Sequence, residues 1–241
     1  MLEKISEHVY RKYMNPETDR HHLYLIQGTT RSIAIDAGNS KAHVEEFYQE
    51  IKEMGLMLPS LTLLTHAHWD HSYGLHAIDH VSIASEKTTQ KLEIMSHWLW
   101  TKEAMNQRLA TGEEIEFCDT CIKKEYEDIS QIKVVIPTIS FTNALDIQLD
   151  DIQVHIEDFE NPHEEDGSFI LVDDLFILGD ASSPDYYHLN AKYDPKRLAN
   201  FIEKLKHYPT YRFAHSHIPD IVDLTTYLKR LEEEVKENGC I

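Results

Sequence analysis

Thr65-His66-Ala67-His68-Trp69-Asp70-His71 follows the apolar run Leu61, Leu63, Leu64 and leads into Ser72-Tyr73-Gly74. Three histidines and one aspartate fall within six residues. Imidazole and carboxylate are the ligands that a borderline-soft divalent ion such as zinc prefers, and one tetrahedral ion cannot easily use so dense a run. The spacing points to two metals. If residues 61–64 form a buried strand, the chain leaves its sheet at Thr65. A tight loop can then turn His66 and His68 toward one point and Asp70 and His71 toward another. In a chain with 16 His in 241 residues the competing account is a polar loop that is histidine-rich by chance; the alternation directly after a strand weighs against it.

Composition narrows the class. A chain of 241 residues with 41% hydrophobic content can build a sizeable core. No stretch reaches the roughly 18 apolar residues of a membrane helix. Met1-Leu2-Glu3-Lys4 lacks the basic and then apolar layout of a signal peptide, so a cytoplasmic protein with no membrane partner is expected. The formal charge of −19, from 42 acidic and 23 basic residues, opposes nucleic acid as a partner and leaves a small-molecule substrate. Cys118, Cys121 and Cys240 are an odd count, which argues against a disulfide framework. Cys118 and Cys121 are expected to be unremarkable thiols on a helix rather than half a zinc site or a redox pair.

Upstream of the opening stretch, residues 5–10, 22–27 and 32–36 read as antiparallel strands, with Gly28-Thr29-Thr30 as a turn. Asn39 or Ser40 caps a helix in which Val44, Phe47, Tyr48, Ile51 and Met54 recur at helical spacing, ended by Gly55. Strand, helix and strand then place the histidine loop at the carboxyl end of a strand, where open α/β sheets bind ligands.

Downstream, residues 81–84 read as a short strand and about 86–130 as a helical insertion carrying His97, Trp98, Trp100 and Met105. Trp98 and Trp100, two apart, cannot share one helix face. The insertion reads either as extended core or a homodimer contact, or as a lid whose aromatics line the substrate site. Strand character returns over 132–160, where a second sheet is expected to begin, and residues 168–172 and 175–178 flank a hairpin turn at Asp173-Asp174. Asp194-Pro195 starts a helix with Leu198, Phe201, Ile202 and Leu205 on one face. A last strand at 211–214 precedes a closing helix marked by Tyr227, Leu228, Leu231 and Val235.

His66-x-His68-x-Asp70-His71 resembles the H-x-H-x-D-H signature of the metallo-β-lactamase-fold hydrolases, and the resemblance extends over most of the chain. It implies an αββα sandwich of two mixed β-sheets flanked by helices, with residues 1–241 as one domain. Asp36, at the end of its strand, matches the aspartate that sits behind the metal loop and orients it. His163, before Gly167-Ser168, matches the family's third histidine, although the usual form has Gly before the His and one residue fewer before the Gly-Ser pair. Asp180, after Leu175-Phe176-Ile177-Leu178-Gly179, matches the bridging aspartate; the antibiotic-destroying branch has cysteine there. In Phe213-Ala214-His215-Ser216-His217-Ile218-Pro219 the small residue before the ligand and the Pro after it select His217, with His215 in reserve.

The resemblance thus implies that His66, His68 and His163 hold one metal and Asp70, His71 and His217 a second, with Asp180 touching both. Two divalent ions are expected, zinc first, with iron or manganese as alternatives. A hydroxide between them would be the nucleophile, and Asp70 would orient it or shuttle its proton. The implied activity is hydrolysis of an ester, thioester, lactone, amide or phosphoester. An iron-dependent sulfur dioxygenase-like oxidoreductase and a non-catalytic binding protein of the same fold are the alternatives. Tyr187 and His188 are candidate oxyanion donors, His76 and His80 read as structural, and His21-His22 are assigned nothing.

Overall fold

The computed structural model describes residues 1–240. Its first sheet has seven strands in sequence order: β1 (Glu3–Lys4), β2 (Val9–Lys12), β3 (Leu23–Gln27), β4 (Ser32–Ile35), β5 (Leu61–Leu63), β6 (Val81–Ser85) and β7 (Ile139–Phe141). Pairing is antiparallel from β1 to β4 and parallel from β4 to β7. The second sheet holds β8 (Ala144–Leu149), β9 (Ile152–Asp158), β10 (Ser168–Val172), β11 (Leu175–Ile177), β12 (Arg212–His215) and β13 (Ile218–Asp223), in the spatial order 13-12-11-10-9-8. It is antiparallel except where β11 meets β12. Both sheets are mixed, as expected from the resemblance.

The sheets face each other across one apolar layer. Ile33, Ile35 and Leu63 meet Val154, Ile156, Ile170 and Ile177, all fully buried. Each such side chain contributes roughly 1.5–3 kcal/mol when removed from water, so this layer drives the sandwich. Helix α1 (Lys41–Glu53), capped by the Ser40 side chain on the His43 amide, covers the outer face of the first sheet through Phe47 and Ile51. After α2 (Trp69–Ser72), three helices stand between β6 and β7: α3 (Glu86–Ser96), α4 (Lys102–Thr111) and α5 (Glu116–Glu125). They join Trp69 and Tyr73 in a cluster of their own through Leu92, Met105 and Ile122. The outer face of the second sheet is covered by α6 (Pro195–Leu205) and α7 (Leu224–Asn238), packed on Phe176 and Phe213 through Phe201, Leu205, Tyr227 and Leu231.

Four local expectations are corrected. Residues 5–10 are not one strand: the chain leaves the sheet after Lys4, and Ser6 Oγ and the His8 amide donate to Asp174 and Asp173 in the turn between β10 and β11. The second sheet begins at β8, because β7 pairs in parallel with β6 and closes the first sheet. β13 carries Pro219, Asp220 and Asp223, and its polar character concealed it. Trp98 and Trp100 lie in the connection between α3 and α4, not on a helix, and both stack on the Arg108 guanidinium, at 4.7 and 4.6 Å from ring centre to Cζ.

Candidate metal centre

The site forms where both sheets release their loops. β5 ends at Leu63, and residues 65–68 run as a loop into the single turn of α2. That loop is tied on both sides: the Ala37 amide donates to the His71 carbonyl at 2.8 Å, and the Ser168 amide to the Thr65 carbonyl at 2.7 Å. Gly74 sets how closely the loop approaches the chain before α1. A Cβ there would lie 2.0 Å from the Ala37 carbonyl oxygen and 2.8 Å from that of Ser40, so no side chain fits.

All seven residues expected at the metals converge. His66, His68 and His163 each present one ring nitrogen, the three lying within 4.8 Å of one another. Asp70, His71, Asp180 and His217 form a second group by the same measure. His217 Nε2 is 3.1 Å from Asp70 Oδ2 and 3.2 Å from Asp180 Oδ2. Asp180 Oδ2 also lies 3.4 Å from His71 Nε2 and 4.0 Å from His163 Nε2, between the groups. His215 is directed elsewhere: its Nδ1 accepts from the His217 amide at 3.1 Å and its Nε2 faces Ser183 Oγ at 3.3 Å.

Hydrogen-bond partners fix which nitrogen of each imidazole is free, the tautomers being inferred from those partners. Asp36 Oδ2 accepts a hydrogen bond from His71 Nδ1 at 2.8 Å. The Pro184 carbonyl faces His163 Nδ1 and Thr65 Oγ1 faces His66 Nδ1, both at 3.0 Å. His68 turns its Nε2 to Glu164 at 2.6 Å. The opposite nitrogens then carry lone pairs into the centre. His66 Nε2, His71 Nε2 and Asp180 Oδ1 are buried without a hydrogen-bond partner, and His68 Nδ1 stands 3.0 Å from His163 Nε2. Buried polar atoms without partners are costly, and a bound cation would satisfy those at the centre. A donor set of imidazoles and carboxylates with inward lone pairs fits divalent ions.

Protonation follows the same division. Burial, then the neighbouring His71 and His68, holds His66 well below the ordinary histidine range, and burial lowers His163 as well. Burial opposes charge on His68, but Glu164 overrides it and raises the ring. In the second group burial works against every charge, yet His71 and His217 hold Asp70 and Asp180 well below the usual carboxylate range. The aspartates in turn raise both histidines.

Some neighbours had no sequence signal strong enough to single them out. His21, assigned nothing above, is fully buried and stacked on His71 with ring centroids 3.9 Å apart. Glu164, beside His163, is buried and salt-bridged to Lys91, which also meets Asp166 at 2.8 Å. Asp19, held at a positive φ of 57°, places Oδ1 3.8 Å from His217 Nδ1; burial, then the charge of Asp70, pushes its carboxyl up to about 7. An acidic residue next to a candidate ligand was the available clue for Glu164.

The remaining candidates separate. Tyr187 is not free as an oxyanion donor, because its hydroxyl donates to Glu114 at 3.0 Å and touches Cys118 Sγ at 3.4 Å. His188 turns outward to Asp185. His76 bonds the Tyr73 carbonyl, and His80 bonds Thr62. Cys118 and Cys121 lie on α5 and are buried; burial raises both thiols. A cavity of about 460 Å³ opens over the two groups, and the helical insertion contributes Ile115, Phe117 and Cys118 to its wall. No helix among the described residues is long and apolar enough to cross a membrane.

Comparison with known proteins identifies the fold. The metallo-beta-lactamase from Pontibacter korlensis superposes with a TM-score of 0.66 at 17% identity, covering 99% of each chain. The stereoselective inverting sec-alkylsulfatase Pisa1 from Pseudomonas sp. gives 0.69 at 13% identity, over 97% of this chain and 40% of that one. Acyl-coenzyme A thioesterase MBLAC2 of Homo sapiens is 30% identical over 73 residues, which are 27% of this chain and 26% of that protein. The match therefore spans about a quarter of the curated relative. The family model described as the metallo-beta-lactamase superfamily matches residues 17–188, most of the chain, and the chain belongs to that superfamily.

Proposed function

We propose that this protein is a hydrolase that works with two divalent ions, zinc first, on an acyl bond of a small molecule: an ester, thioester, lactone or amide, with a phosphoester as the less favoured case. The observation that carries the reading is the convergence of seven side chains into two adjoining groups, with His66 Nε2, His71 Nε2 and Asp180 Oδ1 buried and unpartnered among them. His66, His68 and His163 would hold one ion and Asp70, His71 and His217 the other, with Asp180 shared. When bound, such ions acidify water toward neutral pH and polarise the oxygen of the bond to be cleaved.

The chain's own residues prepare that chemistry. Asp36, the Pro184 carbonyl and Glu164 lock three imidazoles in the tautomers that leave the inner nitrogen free. Asp70, kept ionised against burial by His71 and His217, would accept a hydrogen bond from an attacking water and orient it. Tyr187 and the insertion form one side of the cavity. The thioesterase relative supports an acyl substrate over a phosphoryl one, within the short stretch the two proteins share.

Metal analysis of protein purified without chelators, with a panel of ester, lactone, thioester, amide and phosphodiester substrates, tests the proposal. About two divalent ions per chain are expected, with at least one acyl substrate turned over and activity lost on chelation. Bound iron together with oxygen uptake on persulfides, and no hydrolysis, would reject it in favour of the oxidoreductase alternative.

A further inference from the structure

The cavity over the centre is built from apolar and aromatic side chains on one wall and the candidate ligands on its floor. Ile115 and Phe117 come from the insertion and Tyr186 and Tyr187 from the loop after Asp180. Phe117 is 57% and Tyr186 43% exposed, so both offer large apolar surface at the mouth. Its volume of about 460 Å³ lies within the roughly 300–1,000 Å³ usual for small-molecule sites.

The basic side chains of the cavity are the histidines of the candidate metal centre on its floor. Among the described residues, no Lys or Arg lines it, while Asp19 does. Lys91 faces a neighbouring cavity of about 240 Å³ that shares only His68 and Tyr187 with this one. Its ammonium is already paired with Glu164 and Asp166. The chain as a whole carries a formal charge of −19. An anionic group on the substrate, away from the bond to be cleaved, would lose its water in this cavity and gain no counter-ion, which is strongly unfavourable. An alkyl or aryl group would instead gain roughly fourfold in affinity for each methylene buried.

From the cavity wall we infer that the substrate carries an apolar acyl group, seated against Ile115, Phe117 and Tyr186, with no carboxylate, sulfate or phosphate on that group. The inference rests on the metal-centre reading above. It separates this site from one that grips an anionic tail, and it makes Phe117 and Ile115 specificity-determining positions.

Alkyl hydroxamates test it without presupposing which bond is cleaved, because the hydroxamate head chelates the metal and the tail reports on the cavity. Zinc-loaded protein is titrated with acetohydroxamate, hexanohydroxamate and the monohydroxamate of adipic acid, followed by intrinsic fluorescence. Hexanohydroxamate is expected to bind at least tenfold more tightly than both others. Phe117→Ala, at an exposed position the fold tolerates, should cut the hexano-to-aceto ratio at least threefold, and Ile115→Lys should raise the relative affinity of the adipic compound. Equal or tighter binding of the adipic compound to wild-type protein carrying two zinc ions would overturn the inference alone. Failure of the protein to take up zinc, iron or manganese would overturn the metal-centre reading and this inference with it, whereas failure of every hydroxamate to bind the zinc-loaded form would overturn this inference alone.

Discussion

The Asp36 carboxylate holds His71 from behind: Oδ2 is 2.8 Å from His71 Nδ1, while Oδ1 accepts the Thr65 amide at 2.7 Å. One side chain thus fixes both the tautomer of a candidate ligand and the start of the loop that carries three others. The contact requires Asp36 to sit at a φ of 62°, a left-handed conformation that aspartate tolerates better than most residues. Burial disfavours the Asp36 charge, but the His71 and His21 rings outweigh it and keep the carboxyl well below its usual range. Asp36→Asn keeps the size and removes the charge. Metal affinity should fall about 10–100-fold, read by competition with a chromogenic chelator. Unchanged affinity would show that the charge of Asp36 is not needed to hold His71.

Glu164 does for His68 what Asp36 does for His71. Its Oε1 lies 2.6 Å from His68 Nε2, and its other oxygen is tied to Lys91. Glu164→Gln should weaken metal binding about 10–100-fold in the same competition assay. The neighbouring Glu165→Gln, on an exposed side chain paired with Arg197, should leave affinity unaltered. Equal effects of the two changes would mean a general loss of negative charge rather than orientation of His68.

His22 should make the fold acid-sensitive. Its Nδ1 accepts from the Met14 amide at 3.0 Å, and burial, then the Arg11 charge, lowers the ring to about 3. The unfolded chain takes a proton near the ordinary histidine pKa of about 6.5, which the folded chain refuses until far lower pH. The stability associated with neutral His22 is therefore complete above about pH 6.5 and falls as pH drops toward 3, by up to about 1.4 kcal/mol for each pH unit. Urea unfolding of EDTA-treated protein at pH 7 and pH 5 should show wild type losing about 2 kcal/mol more than His22→Asn. Parallel losses would place the acid sensitivity elsewhere.

Arg108 organises the insertion. Its guanidinium lies over the rings of both Trp98 and Trp100, and Nη1 donates to the Leu99 carbonyl at 3.1 Å. Two cation–π contacts in a buried setting and one hydrogen bond make Arg108→Ala cost about 2–3 kcal/mol, measured by chemical unfolding followed through tryptophan fluorescence. A loss below about 0.5 kcal/mol would show that the two indoles pack without it.

The loop from His66 to His71 could be read locally because its ligands lie within one short segment and its alternation follows directly from a strand's end. The hairpin at Asp173-Asp174 and the capped helix at Asp194-Pro195 were equally legible, since turn and cap chemistry act over a few residues. Sequence resemblance also indicated the sandwich and the residues His163, Asp180 and His217. Their approach to the first loop is a tertiary fact: His217 meets Asp70 across 147 positions and His163 meets His68 across 95. No periodicity encodes such distances, which arise when two sheets bury one shared apolar layer. The same holds for what surrounds the ligands. His21 has an ordinary place before a strand, Asp19 lies in a polar turn, and Glu164 is one acid among many; only packing stacks the first on His71, sets the second beside His217 and turns the third to His68. The composition of the opening stretch by itself determined that metal chemistry was available. The tertiary structure decided which nitrogen of each histidine is free for it, and that the helical insertion supplies an apolar wall beside it, because both depend on partners far away in the chain.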